Sequence, residues 1–312
     1  MRSFKQAPVH PRDWNSFALA AVTALAWGMT GVLVRKLPHM HPAAITSARL
    51  LIALPAAAIP MYLLHPSADR LRNTLARPHS YILASLLAGY YFLATSAFQM
   101  APVAEVALLL STPPLFVIAI ARVQGDVPPK ATLWGVVLAT VGIAVTLSPG
   151  LTSAGSVTGQ RFLGDVLALC AAMLTALYAH VYQRLTRKGT CPDAGSVTLL
   201  TFLIGGAGTG LLAVAQQTAP AFMPSQSGIL IFLALGIFST ALPTLGFAIV
   251  SNRLPAILTS TISLFIPIFS GYFAYLMLGE GITPLFVFGS ILVLCGVATI
   301  ICAPRLPGEP QR

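Results

Sequence analysis

Apolar residues along this chain gather into long unbroken runs instead of alternating with polar ones. Ten runs of 18 to 23 residues stand out, at 16–34, 43–64, 80–100, 103–121, 131–148, 162–183, 196–215, 228–250, 256–278 and 284–303. A hydrocarbon layer about 30 Å thick takes about 20 helical residues to cross. Backbone left unpaired in lipid is too costly, so the runs are read as helices. Strands would alternate with period two, and these do not. The pattern predicts an all-α integral membrane protein with ten transmembrane helices.

Composition points to the same solvent. Hydrophobic residues make up 56% of the 312 and charged ones only 8%, against roughly 25% charged in soluble domains. That excludes a disordered chain, a disulfide scaffold and a nucleic-acid-binding domain. The net charge of +10 comes from Lys and Arg in the short connections, the signature of cytoplasmic loops. With the amino terminus inside, fourteen Lys and Arg fall on the inner side. Arg35, Lys36 and Arg161 fall on the outer side, and Arg49 lies within the second run. The expected location is the inner (plasma) membrane, multi-pass, with both termini cytoplasmic. The first run follows Arg2, Lys5 and Arg12 but lacks a small-residue cleavage site, so it is read as a retained span. Cys170, Cys191, Cys295 and Cys302 form no CxxC pair, and neither a disulfide framework nor a metal site is expected.

The halves resemble one another. GDVPPKATLWGVVLATVG at 125–142 parallels GEGITPLFVFGSILVLCG at 279–296, with Gly125, Gly135 and Gly142 matching Gly279, Gly289 and Gly296. Asp126 matches Glu280, and Pro113 upstream matches Pro267. Five spans per half is odd, so the second half enters the membrane from the opposite face. The expected organisation is a cytoplasmic tail at 1–15, a first five-helix repeat at 16–148 and an outer linker at 149–161. A second, inverted repeat follows at 162–303, with a tail at 304–312. Inverted repeats commonly rock around a midplane site, which interrupted helices in corresponding positions mark. Pro113, with Pro114, and Pro267 fit that description.

The stretches AWGMTGVLVRK at 26–36 and GDVLALCAAMLTALYAHVYQR at 164–184 carry a further resemblance. So do the proline-bearing fourth helix of each half and the glycine-spaced fifth. Together they resemble the drug/metabolite transporter superfamily, in its EamA-type branch of ten-helix bacterial exporters. The resemblance implies an exporter of amino acids or related metabolites. It also implies a cavity lined by the first, third, fourth, sixth, eighth and ninth helices.

Polar positions at helical spacing mark faces turned away from lipid. Trp27 and Thr30 share one face of the first run; Tyr91, Thr95 and Gln99 share one of the third. Thr112 adjoins Pro113 in the fourth, and Tyr178 and Tyr182 lie in the sixth. Pro243 and Thr244 belong to the eighth, and Ser263 and Pro267 to the ninth. Each hydroxyl can instead bond back to its own helix. Arg49, Glu105 and Asp165 fall at similar depth, so Arg49 is expected either to pair with one of the acids or to hold a substrate carboxylate. Glu105 is the candidate for proton coupling. Asp126 and Glu280 read as caps, and Gly206 and Gly210 form a GxxxG suited to packing within the chain or in a weak homodimer.

The expected activity is secondary transport of a small molecule by alternating access, with efflux of amphipathic or cationic drug-like compounds as the alternative. No phosphate-binding loop is present. Of six histidines only His180 lies inside a run, which disfavours an intramembrane enzyme. No catalytic residue, cofactor, metal or nucleic-acid partner is expected.

Overall fold

The structure is a computed structural model describing residues 14–64, 68–125, 129–152, 156–216, 226–253 and 264–302. Ser260, Ser263 and Asp126 lie outside the described residues. Among those described, every regular element is helical. The helices are α1 (Trp14–Gly28), α2 (Thr30–Arg35), α3 (Pro42–Leu64), α4 (Ala68–Leu75), α5 (Pro78–Met100), α6 (Val103–Leu109) and α7 (Pro113–Val123). They continue as α8 (Lys130–Thr152), α9 (Ser156–Arg187), α10 (Ala194–Ala215) and α11 (Gln226–Leu233). A π-helical segment (Ala234–Ala241) leads into α12 (Leu242–Arg253), and α13 (Phe265–Leu278) and α14 (Pro284–Cys302) follow. Among the described residues eight stretches are long and apolar enough to cross a membrane, and Lys130–Thr146 and Phe265–Leu278 are shorter apolar helices.

Breaks within the runs have local causes. Between α6 and α7 the chain meets Pro113 and Pro114, which supply no N–H to the carbonyls of Leu109 and Leu110. The Thr112 hydroxyl donates to the Leu109 carbonyl at 2.6 Å and that of Ser111 to Leu108, also at 2.6 Å. The interruption is thus a satisfied turn. In the eighth run the widened stretch is the π segment, ending just before Pro243; there the Thr240 hydroxyl bonds back to the Leu235 carbonyl five residues earlier. Helix also fills most of the expected outer linker, since α8 runs to Thr152 and α9 starts at Ser156. Arg161 therefore rides on α9.

The most extensive packing joins α8 to α14, α5 to α9, α3 to α10, and α5 to α10. The α8–α14 crossing is built on glycine. A Cβ on Gly135 would come within 2.7 Å of the Gly296 carbonyl oxygen, and one on Gly142 within 2.8 Å of the Gly289 oxygen. Gly206 and Gly210 are spent within the chain. A Cβ on either would meet α3, at Leu51 and Ser47, and the Ser47 hydroxyl donates to the Gly206 carbonyl. The outer surface keeps large apolar groups such as Val137, Leu211, Leu230 and Ile291 exposed. That exposure suits lipid and would be a liability in water.

Candidate functional site

A cavity of about 1720 Å³ lies among the helices and extends to α4 and the α9–α10 connection. Of the residues singled out from the sequence, Trp27, Thr30, Arg49, Tyr91, Pro113, Tyr178, Tyr182, Thr244 and Pro267 line it. Tyr90, Ser111, Thr175 and His180 line it as well. Tyr90 escaped notice because it stands one residue off the helical face that Tyr91 and Thr95 define. Five named residues do not line it. Thr112 is consumed by its own turn, and Pro243 is buried. Gln99 donates to the carbonyls of Leu37 and Met40. Thr95 is fully buried behind Arg49, and Glu105 lies beyond the closed end.

Arg49 is the one buried cation on the described wall. Its Nε and Nη2 donate to the Thr240 hydroxyl at 3.2 and 3.0 Å, and Nη1 reaches the Thr95 hydroxyl at 3.4 Å. The guanidinium carbon stands 5.1 Å from the centre of the Tyr91 ring, a cation–π contact. The expected pairing of Arg49 with Glu105 or Asp165 is not formed. The π segment carries Thr240 to the guanidinium from 191 residues away, and Glu105 is taken by a different arginine. Among the described residues all Arg49 partners are neutral. Desolvating a cation without a counter-charge costs several kcal/mol.

Aromatic rings frame this cation. Tyr90 and Tyr91 meet edge to face at 5.3 Å, and Tyr91 does the same with Phe202 at 6.1 Å. Trp27 and Phe247 lie 5.4 Å apart, and Tyr178 stacks on Tyr182 at 5.7 Å. The Thr30 and Ser239 hydroxyls bond across α2 and the π segment. At the proline break Leu110 lines the cavity, and Pro114 supplies no N–H to its carbonyl.

The end opposite α4 is shut by a polar cluster outside the cavity lining. Gly279, at φ +67°, ends α13 in the left-handed conformation, and Glu280 beyond it accepts from the Val103 N–H at 2.8 Å. Glu280 thus caps α6, not the helix after it. Its second oxygen lies 3.8 Å from Arg35 Nε, while Arg35 Nη1 donates to the Gln99 carbonyl at 2.7 Å. Burial pushes the Glu280 carboxyl above the usual carboxylate range, against the pull of the Val103 amide and Arg35. Alongside, Arg161 Nε donates to Glu105 Oε2 at 2.9 Å, and Nη2 forms an ion pair with the same oxygen, also at 2.9 Å. Sequence reasoning missed Arg161 by placing it in a linker; its spacing of four from Asp165 was the signal.

The profile of the EamA-like transporter family matches residues 14–148 and again 162–302. This chain belongs to the EamA-like transporter family. Relatives of this transporter include YoaV of Bacillus subtilis (strain 168), named an uncharacterized transporter. It is 24% identical over 281 residues, covering 88% of this chain and 92% of the relative. An uncharacterized transporter of Clostridium kluyveri is 24% identical over 166 residues, 53% of this chain and 52% of its own. A chain of solved structure shares the fold, with a TM-score of 0.65 at 19% identity over 92% of this chain and 97% of that one. The EamA-like transporter is therefore a multi-pass membrane protein with a small-molecule substrate.

Proposed function

We propose that this transporter is a ten-helix secondary carrier built as two inverted five-helix repeats, 16–148 and 162–303. It sits in the plasma membrane with both termini cytoplasmic and exports amino acids or related metabolites by alternating access. The packing supports the repeat, because partners recur when the halves are exchanged. The contact of α5 with α9 has its counterpart in α12 with α1, and that of α5 with α10 in the π segment with α3. Contacts of α6 and α7 with α9 correspond to those of α13 with α1 and α2. The Gly135–Gly296 and Gly142–Gly289 approaches are the same contact seen from either half.

Arg49 is the observation that carries the substrate class. A buried guanidinium with only neutral partners among the described residues, on an aromatic wall, suits a substrate carboxylate. The Leu110 carbonyl offers an acceptor for the ammonium. Direction follows gradients, and export rests on the family resemblance. Cavity size favours the second reading, efflux of larger amphipathic compounds, because about 1720 Å³ exceeds the roughly 300–1,000 Å³ of most ligand sites. The cation at Arg49 counts against cationic cargo. The chain works as a monomer, its GxxxG face already occupied by α3.

Counterflow in proteoliposomes with a panel of labelled amino acids tests the proposal. At least one is taken up, and Arg49→Gln weakens its half-saturation about 10- to 100-fold, the worth of a lost charge-assisted bond. Counterflow of none, with exchange of a neutral amphipathic dye, would promote the efflux reading.

A further inference from the structure

The polar cluster at the closed end holds more negative than positive charge. Glu105, Asp165 and Glu280 supply three carboxylates; Arg161 and Arg35 supply two cations. Glu105 and Asp165 are each 1% exposed. Gly164, whose Cβ would meet the Ala101 nitrogen at 2.9 Å, lets the start of α9 press against the α5–α6 junction. That approach sets Arg161 against Glu105. Arg161 Nε donates to Glu105 Oε2 and Nη2 stands 2.9 Å from the same oxygen, so Glu105 Oε1 is left buried with no hydrogen-bond partner, as are Asp165 Oδ1 and Glu280 Oε1. Asp165 sits one turn along α9 from Arg161, in the field of both Arg161 and Glu105. An ionised carboxylate only accepts, so nothing in the cluster as charged satisfies these oxygens.

We infer that the Glu105–Asp165 pair binds one proton when this end of the transporter is closed. Asp165 carries it, because Glu105 holds Arg161. The proton brings the five groups to neutrality. On the same side, His39 and His41 stand in the α2–α3 connection, where the His41 ring accepts from the Ala43 N–H; the remaining titratable groups named below face elsewhere. His79 and Tyr81 open α5 at the opposite end, and Lys130 opens α8 there. Arg122 ends α7 on that side, where Gln124 meets His180. Tyr90 and Tyr91 belong to the cavity, and Lys36 is exposed. Because the pair is absent from the cavity lining and Arg161 is a third exposed, the proton exchanges with the side facing the closed end. It acts on the gate, not as cargo: opening hydrates the carboxylates and releases the proton, and closing takes one up. Acid on that side therefore favours the state open toward α4. This consequence rests on the alternating-access reading; occupancy by the proton does not.

Two measurements on the full chain in nanodiscs, without substrate, test it. Infrared spectroscopy at neutral pH reads the carbonyl stretch of a protonated carboxyl group. Asp165→Asn abolishes that band, and Glu105→Gln does too, because Arg161 is then free for Asp165; Arg49→Gln, outside the cluster, retains it. Absence of the band in the parent, or its persistence in both Asp165→Asn and Glu105→Gln, overturns the inference. Electron–electron distances between spin labels at Lys36→Cys and Gly159→Cys, with the four native cysteines replaced, read the gate. The open-to-closed ratio rises up to about tenfold per pH unit for a one-proton step, and Asp165→Asn flattens the slope. An equal slope in that variant overturns the link to the gate. A single distance at every pH, with the band present, sinks alternating access but leaves the proton site standing.

Discussion

Arg49 shows how far a residue can be understood from its own position. An arginine inside an apolar run announces itself, because a charge there is costly and kept only for use. Its partners are a different matter: Thr95 comes from α5 and Thr240 from the π segment, and neither is near in sequence. Thr240→Val would leave Nε and Nη2 without their acceptor. The expected outcome is a loss of about 1–3 kcal/mol, seen as a lower unfolding midpoint in detergent, with a parallel loss of counterflow. Retained stability with unchanged counterflow would show that Thr240 does not hold the guanidinium. Glu105 was equally visible as a buried acid, yet its pairing with Arg161 depends on α9 starting earlier than its apolar run.

Among the elements, glycine and proline decide which helices touch and which break. The α8–α14 crossing leaves no room for side chains at Gly142 or Gly296, where a Cβ would fall within 2.8 Å of backbone. Gly296→Leu is expected to lower the unfolding midpoint sharply, because the whole contact must separate. Gly208→Ala, where a Cβ meets nothing within 4 Å, should leave it unchanged. Equal midpoints for the two variants would contradict this account of the crossing. Pro114→Ala returns a backbone donor to the Leu110 carbonyl and removes that acceptor from the cavity. Substrate half-saturation is then expected to weaken several-fold at undiminished thermal stability, the worth of about one hydrogen bond. These positions were legible, since the matched glycines and prolines stand out in the chain. The π segment was not, because nothing local in ALGIFSTA distinguishes a widened turn from an ordinary one.

At the scale of the molecule, the described structure is open toward α4 and shut at the end where Arg35 pairs with Glu280 and Arg161 with Glu105. In the orientation proposed above, a thiol placed in the cavity is reachable from the cytoplasmic side alone. Ser111→Cys, in a chain lacking the native cysteines, should react with a membrane-impermeant reagent in inside-out vesicles and resist it in intact cells. Faster reaction in intact cells would reverse the orientation or the access state.

The sequence by itself determined the solvent, the helical class and the family, because these depend on sums: apolar length, charge density and a motif repeated along the chain. It also marked the cation, the aromatics and the prolines that meet at the cavity. Tertiary structure alone decided which charges pair. Hydrogen bonds are short-ranged, and a helix rotated by one residue or begun one turn earlier hands a guanidinium to a different acid. It thereby separated the cavity cation from the carboxylates at the closed end, which lie at similar depth and which the sequence had no means of keeping apart.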